Sequence, residues 1–177
     1  MGSTHSAVAS GVDGLGLKAA IAYGIKPHPE SMKKLEYFIK GNHFNYGILF
    51  NGKRYHNHVP HILISAYFLG ATPAQLADIY ENGSKILSPW KEDSPAVLTP
   101  DDWKDFRGRK QYERGFFDYF TDQITDSKSN WKTMARKFFV DDKDNLLIGL
   151  YGGLFHPLIH LGYAVEADSS LLGIEGK

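Results

Sequence analysis

Apolar residues recur at helical spacing through most of this chain. Met32, Leu35, Phe38 and Ile39 follow Pro29 at intervals of three and four and predict a helix over Pro29–Lys40, with Ser31 in the cap region. Ile48–Phe50 is a short apolar run followed by Asn51-Gly52, a turn signal. A second helix is expected near Pro60, because proline suits the first helical turn and Asn57 or His58 can cap it. It runs through Ile62, Leu63, Tyr67 and Phe68 to Gly70, and Ala71-Thr72-Pro73 opens a third helix over Ala74–Glu81, ended by Asn82-Gly83. Leu87–Asp105, rich in Pro, Asp and Ser, reads as a loop. Lys110–Asp126 carries a stripe of Tyr112, Phe116, Phe117, Phe120 and Ile124, and Trp131–Val140 is a further helix before the turn at Asp141–Asp144. The run Leu146–Val165 contains no charged residue, as a buried central helix would. Ser169 to Glu175 reads as the start of another element. No strong strand alternation appears. The class is mainly α: a flexible tail over 1–16, then one helical domain over 17–177 as part of a longer chain.

Composition narrows the chemistry. The 177 residues carry zero formal net charge, so no basic surface argues for nucleic acid. Cysteine is absent, which removes disulfides, thiolate metal sites and cysteine nucleophiles. Four glycines, Pro157 and two histidines argue against a membrane span over Leu146–Val165. The N-terminus lacks the pattern of a secretory signal, so a cytoplasmic protein is expected. Aromatic residues make up 14%, enough to line a site for a flat ring as well as a core. Gly11-Val12-Asp13-Gly14-Leu15-Gly16 has the wrong order for a dinucleotide fingerprint, and no P-loop or nucleophile elbow occurs.

Five of the eight histidines fall in two segments, Tyr55-His56-Asn57-His58-Val59-Pro60-His61 and Gly152-Gly153-Leu154-Phe155-His156-Pro157-Leu158-Ile159-His160. His156 and His160 are four apart and His58 and His61 three apart, so each pair can share a helix face. Buried imidazoles need partners, and facing helices are how helical folds build metal sites. These four histidines are the expected metal ligands, with His56 as a possible substitute for one of them. Imidazole suits zinc, copper, iron and nickel alike. Each histidine could instead be a satisfied structural residue, and an HxxxH spacing is a weak motif. Tyr163 shares the His156 face and Glu166 lies at its edge; both are candidates to support the site. His5, His28 and His43 read as exposed or structural.

The same stretches, with Leu69-Gly70-Ala71-Thr72-Pro73, Gln75-Leu76, Tyr80, Leu161-Gly162-Tyr163 and Glu166, resemble the questin oxidase-like family. The resemblance runs from about Lys26 onward, and family members are much longer than this chain. It implies an oxygen-dependent oxidoreductase of fungal secondary metabolism that opens a ring of an anthraquinone-type aromatic, by a Baeyer–Villiger-like or dioxygenase oxidation. Under that reading the histidines hold a non-haem iron, dioxygen is the oxidant, and Phe155, Tyr67 and the Phe116–Phe120 stripe are candidates to line the substrate site. Four neutral imidazoles leave the charge of an iron(II) ion uncompensated, so an anionic oxygen ligand, an Asp, a Glu or a carboxylated lysine, is expected in the remaining polypeptide after Lys177. The alternatives are an NADPH-dependent monooxygenase without metal and a non-catalytic helical binding domain.

Overall fold

The computed structural model describes residues 28–50, 55–90, 93–126, 130–140 and 146–176. The expected tail over 1–16 and the turns at Asn51-Gly52 and Asp141–Asp144 lie outside them. The described residues form eight α-helices and one two-stranded sheet, which bears out a mainly α protein. The chain divides into two compact units, with the boundary between Tyr119 and Phe120 inside one helix.

The N-terminal unit starts with α1 (Pro29–Asn45), capped by His28, whose Nδ1 accepts from the Glu30 N–H at 3.2 Å. Ser31 is therefore free of capping duty: it is buried, and its hydroxyl donates to the Ala71 carbonyl. The helix continues past Lys40 because its next turn packs closely. A Cβ on Gly41 would lie 3.0 Å from the Tyr80 hydroxyl, and Phe38 stacks on Tyr80 with centroids 4.7 Å apart. Strands β1 (Leu49–Phe50) and β2 (Tyr55–His56) pair antiparallel, Leu49 opposite His56.

Helix α2 (Val59–Phe68) ends at Gly70, whose φ of 87° is the left-handed conformation glycine takes without penalty. A reciprocal Thr72–Gln75 capping box then opens α3 (Pro73–Ser84). Asn82-Gly83 does not end α3 as expected. A Cβ on Gly83 would come within 2.7 Å of Val59, so this glycine serves the close approach of α3 to α2 rather than a turn. Helices α1, α2 and α3 pack on one another around Leu35, Ile39, Leu63, Ile64, Tyr67 and Leu76. The loop that follows carries a 3-10 turn at Trp103–Phe106, and α4 (Glu113–Asp126) begins with Glu113, which accepts from the Leu49 N–H at 2.7 Å.

In the C-terminal unit, α5 (Trp131–Phe139) buries Trp131, Met134 and Phe138, and Phe120 meets Phe138 edge-on. The short α6 (Leu146–Gly149) precedes α7 (Gly152–Ala167), and α8 (Ser170–Glu175) packs against α5 and α7. Ser169 caps α8 by accepting from Leu172, and every residue of α8 from Leu171 to Glu175 is buried. The expectation of a buried central histidine helix holds for one face only. His160, Ala164 and Ala167 of α7 are buried, whereas Leu154, Phe155, Leu158, Ile159 and Val165 are exposed. The burial comes from α8, which is too short to cover more than one face.

Helix α7 is also not regular from its start. Gly153, Leu154 and Phe155 have φ of 53°, 58° and 65°, a left-handed turn before Pro157 opens the right-handed part. Among the described residues no helix is long and apolar enough to cross a membrane.

Candidate functional site

The first histidine segment belongs to the N-terminal unit. His56 is half-buried on β2 and His58 is exposed ahead of α2. Asn57 does the capping that His58 was also a candidate for: its Oδ1 accepts from the Val59 N–H at 3.1 Å, and its Nδ2 donates to Asn42 at 2.8 Å. With Asn57 buried, the next residue turns outward and His61 turns inward. The His58 and His61 rings stand edge to face with centroids 5.2 Å apart. His43 is buried with its ring 4.7 Å from that of Phe117, a structural residue as anticipated. Tyr67 and Phe117 belong to the core of this unit, and burial, with a smaller contribution from Glu36, raises the Tyr67 pKa above its usual 10.0.

The second segment belongs to the C-terminal unit. His156 is half-buried, and its Nδ1 bonds to the Gly153 carbonyl. A carbonyl only accepts, so Nδ1 carries the hydrogen and Nε2 of the neutral ring is the acceptor nitrogen. Tyr151 and Phe155 stand edge to face with centroids 5.8 Å apart and are exposed by 58% and 50%. His160 faces the other way. It is 2% exposed, and its Nε2 lies 3.8 Å from Oε2 of the buried Glu175 on α8. The i, i+4 spacing nonetheless leads to two different environments, because α8 packs over His160 and leaves His156 half-buried. Tyr163 is half-buried and Glu166 is exposed on α7.

Glu175 escaped sequence reasoning. It looked like part of an element about to begin, and no neighbouring residue signals that α8 is buried. Phe120, from the aromatic stripe, is core, while Phe155 is the one proposed ring-lining residue of this unit that faces outward.

Nitrogen and oxygen donors of this kind suit iron in type. Their arrangement does not fit it: among the described residues no three His, Asp or Glu side chains gather closely enough to hold a metal ion. His58 with His61, and His160 with Glu175, are pairs in separate units.

The fold and these pairs define a mainly α protein with buried polar side chains set into apolar helices. The chain belongs to the questin oxidase-like family, whose model matches residues 55–176. It is 30% identical over 145 residues to the Baeyer-Villiger monooxygenase AacuH of Aspergillus aculeatus, covering 77% of this chain and 30% of that protein. It is 27% identical over 144 residues to the questin oxidase of Aspergillus fumigatus, covering 78% of this chain and 32% of that enzyme. The Baeyer-Villiger oxidase ptaJ of Pestalotiopsis fici is 27% identical over 182 residues, covering 98% of this chain and 39% of that enzyme. The chain thus spans about a third of the length of these relatives.

Proposed function

We propose that this protein is an oxygen-dependent oxidoreductase acting on an aromatic polyketide, and that its reaction is a Baeyer–Villiger oxidation of an anthraquinone-type substrate. The observation that carries this is membership of the questin oxidase-like family, together with relatives named as Baeyer-Villiger enzymes. In such a reaction one atom of dioxygen enters between a ring carbonyl carbon and its neighbour and gives a lactone. The other atom leaves as water. Two electrons arrive as a hydride from NADPH with one proton from solvent. Hydrolysis of the lactone then opens the ring.

A second reading, oxygenation at a non-haem iron held by His58, His61, His156 and His160, is favoured by the close His58–His61 pair. It conflicts with the absence of a three-ligand cluster among the described residues.

Incubation of the purified protein with a hydroxyanthraquinone, NADPH and 18O2 tests both. One labelled oxygen per product with equimolar NADPH oxidation is the expected result. Two labelled oxygens without NADPH consumption, with about one iron per chain that is lost in His58→Ala and His160→Ala, would establish the second reading in its place. No oxygen-dependent product from any anthraquinone would leave a non-catalytic binding domain.

A further inference from the structure

We propose that Leu158, Ile159, Gly162 and Val165 of α7 form the docking face for an apolar helix, supplied by polypeptide of the kind that the longer relatives carry outside the matched region. The proposal does not depend on the reaction assigned above.

Helix geometry defines the face. Its left-handed residues end at Phe155, and from Pro157 to Ala167 α7 is regular. At about 100° per residue, Leu158, Gly162 and Val165 project opposite to His160, Ala164 and Ala167. The second set is buried, and α7 packs on α8. The first set is exposed, as is Ile159 beside it. Exposed apolar residues scattered singly are ordinary. These are contiguous and lie in a run, Leu146–Val165, that carries no charge. Glu166 follows at the C-terminal edge, exposed, as a polar rim borders an apolar contact.

Gly162 is an independent observation. Glycine is the weakest helix former after proline. Gly173 and Gly176 of this unit each stand against a neighbouring element, but a Cβ on Gly162 would meet no such neighbour within 4 Å. Packing within the unit therefore gives no reason for a glycine here. A helix docking from outside does, because a missing side chain lets two helix axes approach closely.

The chemistry of the face selects its occupant. A charged partner would lose its water against this face and find no counter-charge. The run has no Lys or Arg to meet a lipid headgroup, and the opposite face of α7 is packed rather than solvated, unlike that of a helix lying on a membrane. An apolar polypeptide fits, and the relatives carry one. The Pestalotiopsis fici oxidase matches 98% of this chain with 39% of its own, so more than half of it lies outside the matched region. Polypeptide joined to α7 competes for the face at a far higher effective concentration than a second copy does.

Thiol labelling tests the face, because the chain has no cysteine of its own. In dilute folded protein, Leu158→Cys should label about as fast as Lys33→Cys, at an exposed site on α1, and Ala164→Cys about tenfold or more slower. The partner probe is the Pestalotiopsis fici oxidase with its matched region replaced by this chain. In that hybrid Leu158→Cys, read at that residue by mass spectrometry, should label about tenfold or more slowly than in the chain alone, and adding Gly162→Leu should restore the fast rate. Fast labelling of Leu158→Cys in a folded hybrid overturns the proposal. If the hybrid does not fold, Gly162→Ala in the chain alone decides. A raised urea midpoint is expected, because alanine is the better helix former and its Cβ has room. A lowered midpoint would place the need for glycine inside the unit and overturn the docking face. Labelling of the chain alone that slows with concentration, as a dimer forms, assigns the face to a second copy. Slowing by vesicles of phosphatidylcholine and phosphatidylglycerol assigns it to a lipid surface. Either of these results overturns the proposal.

Discussion

Leu154 is a non-glycine residue at φ 58° with 82% of its surface exposed. The left-handed conformation costs such a residue on the order of 1 kcal/mol, because its Cβ crowds the following carbonyl oxygen. Its side chain returns little burial in exchange. Leu154→Gly should therefore stabilise the protein by up to about 1 kcal/mol, since the relief outweighs the extra freedom glycine has when unfolded. A rise in the urea midpoint at constant slope is the signature; a fall would mean the turn is not left-handed. Asn57 is the opposite case. It is buried, caps α2 through Oδ1 and donates to Asn42 at 2.8 Å. Asn57→Ala should cost about 2 kcal/mol, from a lost cap and a buried acceptor left on Asn42. The cap was legible from Asn57 standing ahead of Pro60. Its partner fifteen residues upstream was not, because nothing local relates the two.

At the scale of elements, α8 shows how a short helix becomes indispensable. A Cβ on Gly173 would lie 2.7 Å from the Trp131 ring, and one on Gly176 would lie 3.0 Å from the Leu161 backbone nitrogen. The two glycines let α8 approach α5 and α7 closely enough to bury Leu171, Leu172 and Ile174. Gly176→Ala meets backbone, which cannot rotate away, and should destabilise by about 1–3 kcal/mol in thermal unfolding. Loss of the Glu175 carboxylate is a separate test of the same contact. Glu175→Ala removes the buried carboxylate 3.8 Å from His160 Nε2 and should cost about 2 kcal/mol, most of which Glu175→Gln restores by keeping shape and a polar end. Equal destabilisation by both substitutions would show that the carboxylate charge, not the polar contact, is what matters.

Across the whole molecule, three tyrosines link stability to alkaline pH: Tyr67 and Tyr119 are buried and Tyr80 is half-buried. Burial raises the pKa of Tyr67, Tyr80 and Tyr119 above 10.0. Glu36 adds to this at Tyr67, a bond with Asn45 opposes it at Tyr80, and Lys104 opposes it at Tyr119. In each case the folded state holds its proton more tightly than the unfolded chain does. Their contribution is complete below the unfolded pKa of about 10 and is lost as pH rises from there through the raised folded values. The urea midpoint should fall over that range, and fall less steeply in Tyr119→Phe. An unchanged slope in the variant would mean that Tyr119 ionises as it does in the unfolded chain.

The helices, their order and the turns at Gly70 and Thr72 follow from local rules: apolar periodicity, a capping pair, and a glycine where φ must be positive. These depend on residues within a turn of one another, so the chain displays them directly. The clustering of histidines and the family stretches around them were legible for the same reason. Helix ends such as Gly83 were misjudged because glycine answers two demands, a turn or a close approach, and only the neighbouring helix says which. The partition of His156 and His160 was hidden as well. Spacing predicts one shared face, but α8 arrives with Glu175 to cover His160 alone. Burial and pairing are properties of segments brought together from a distance, and no periodicity in a single helix encodes which of its faces another helix will cover.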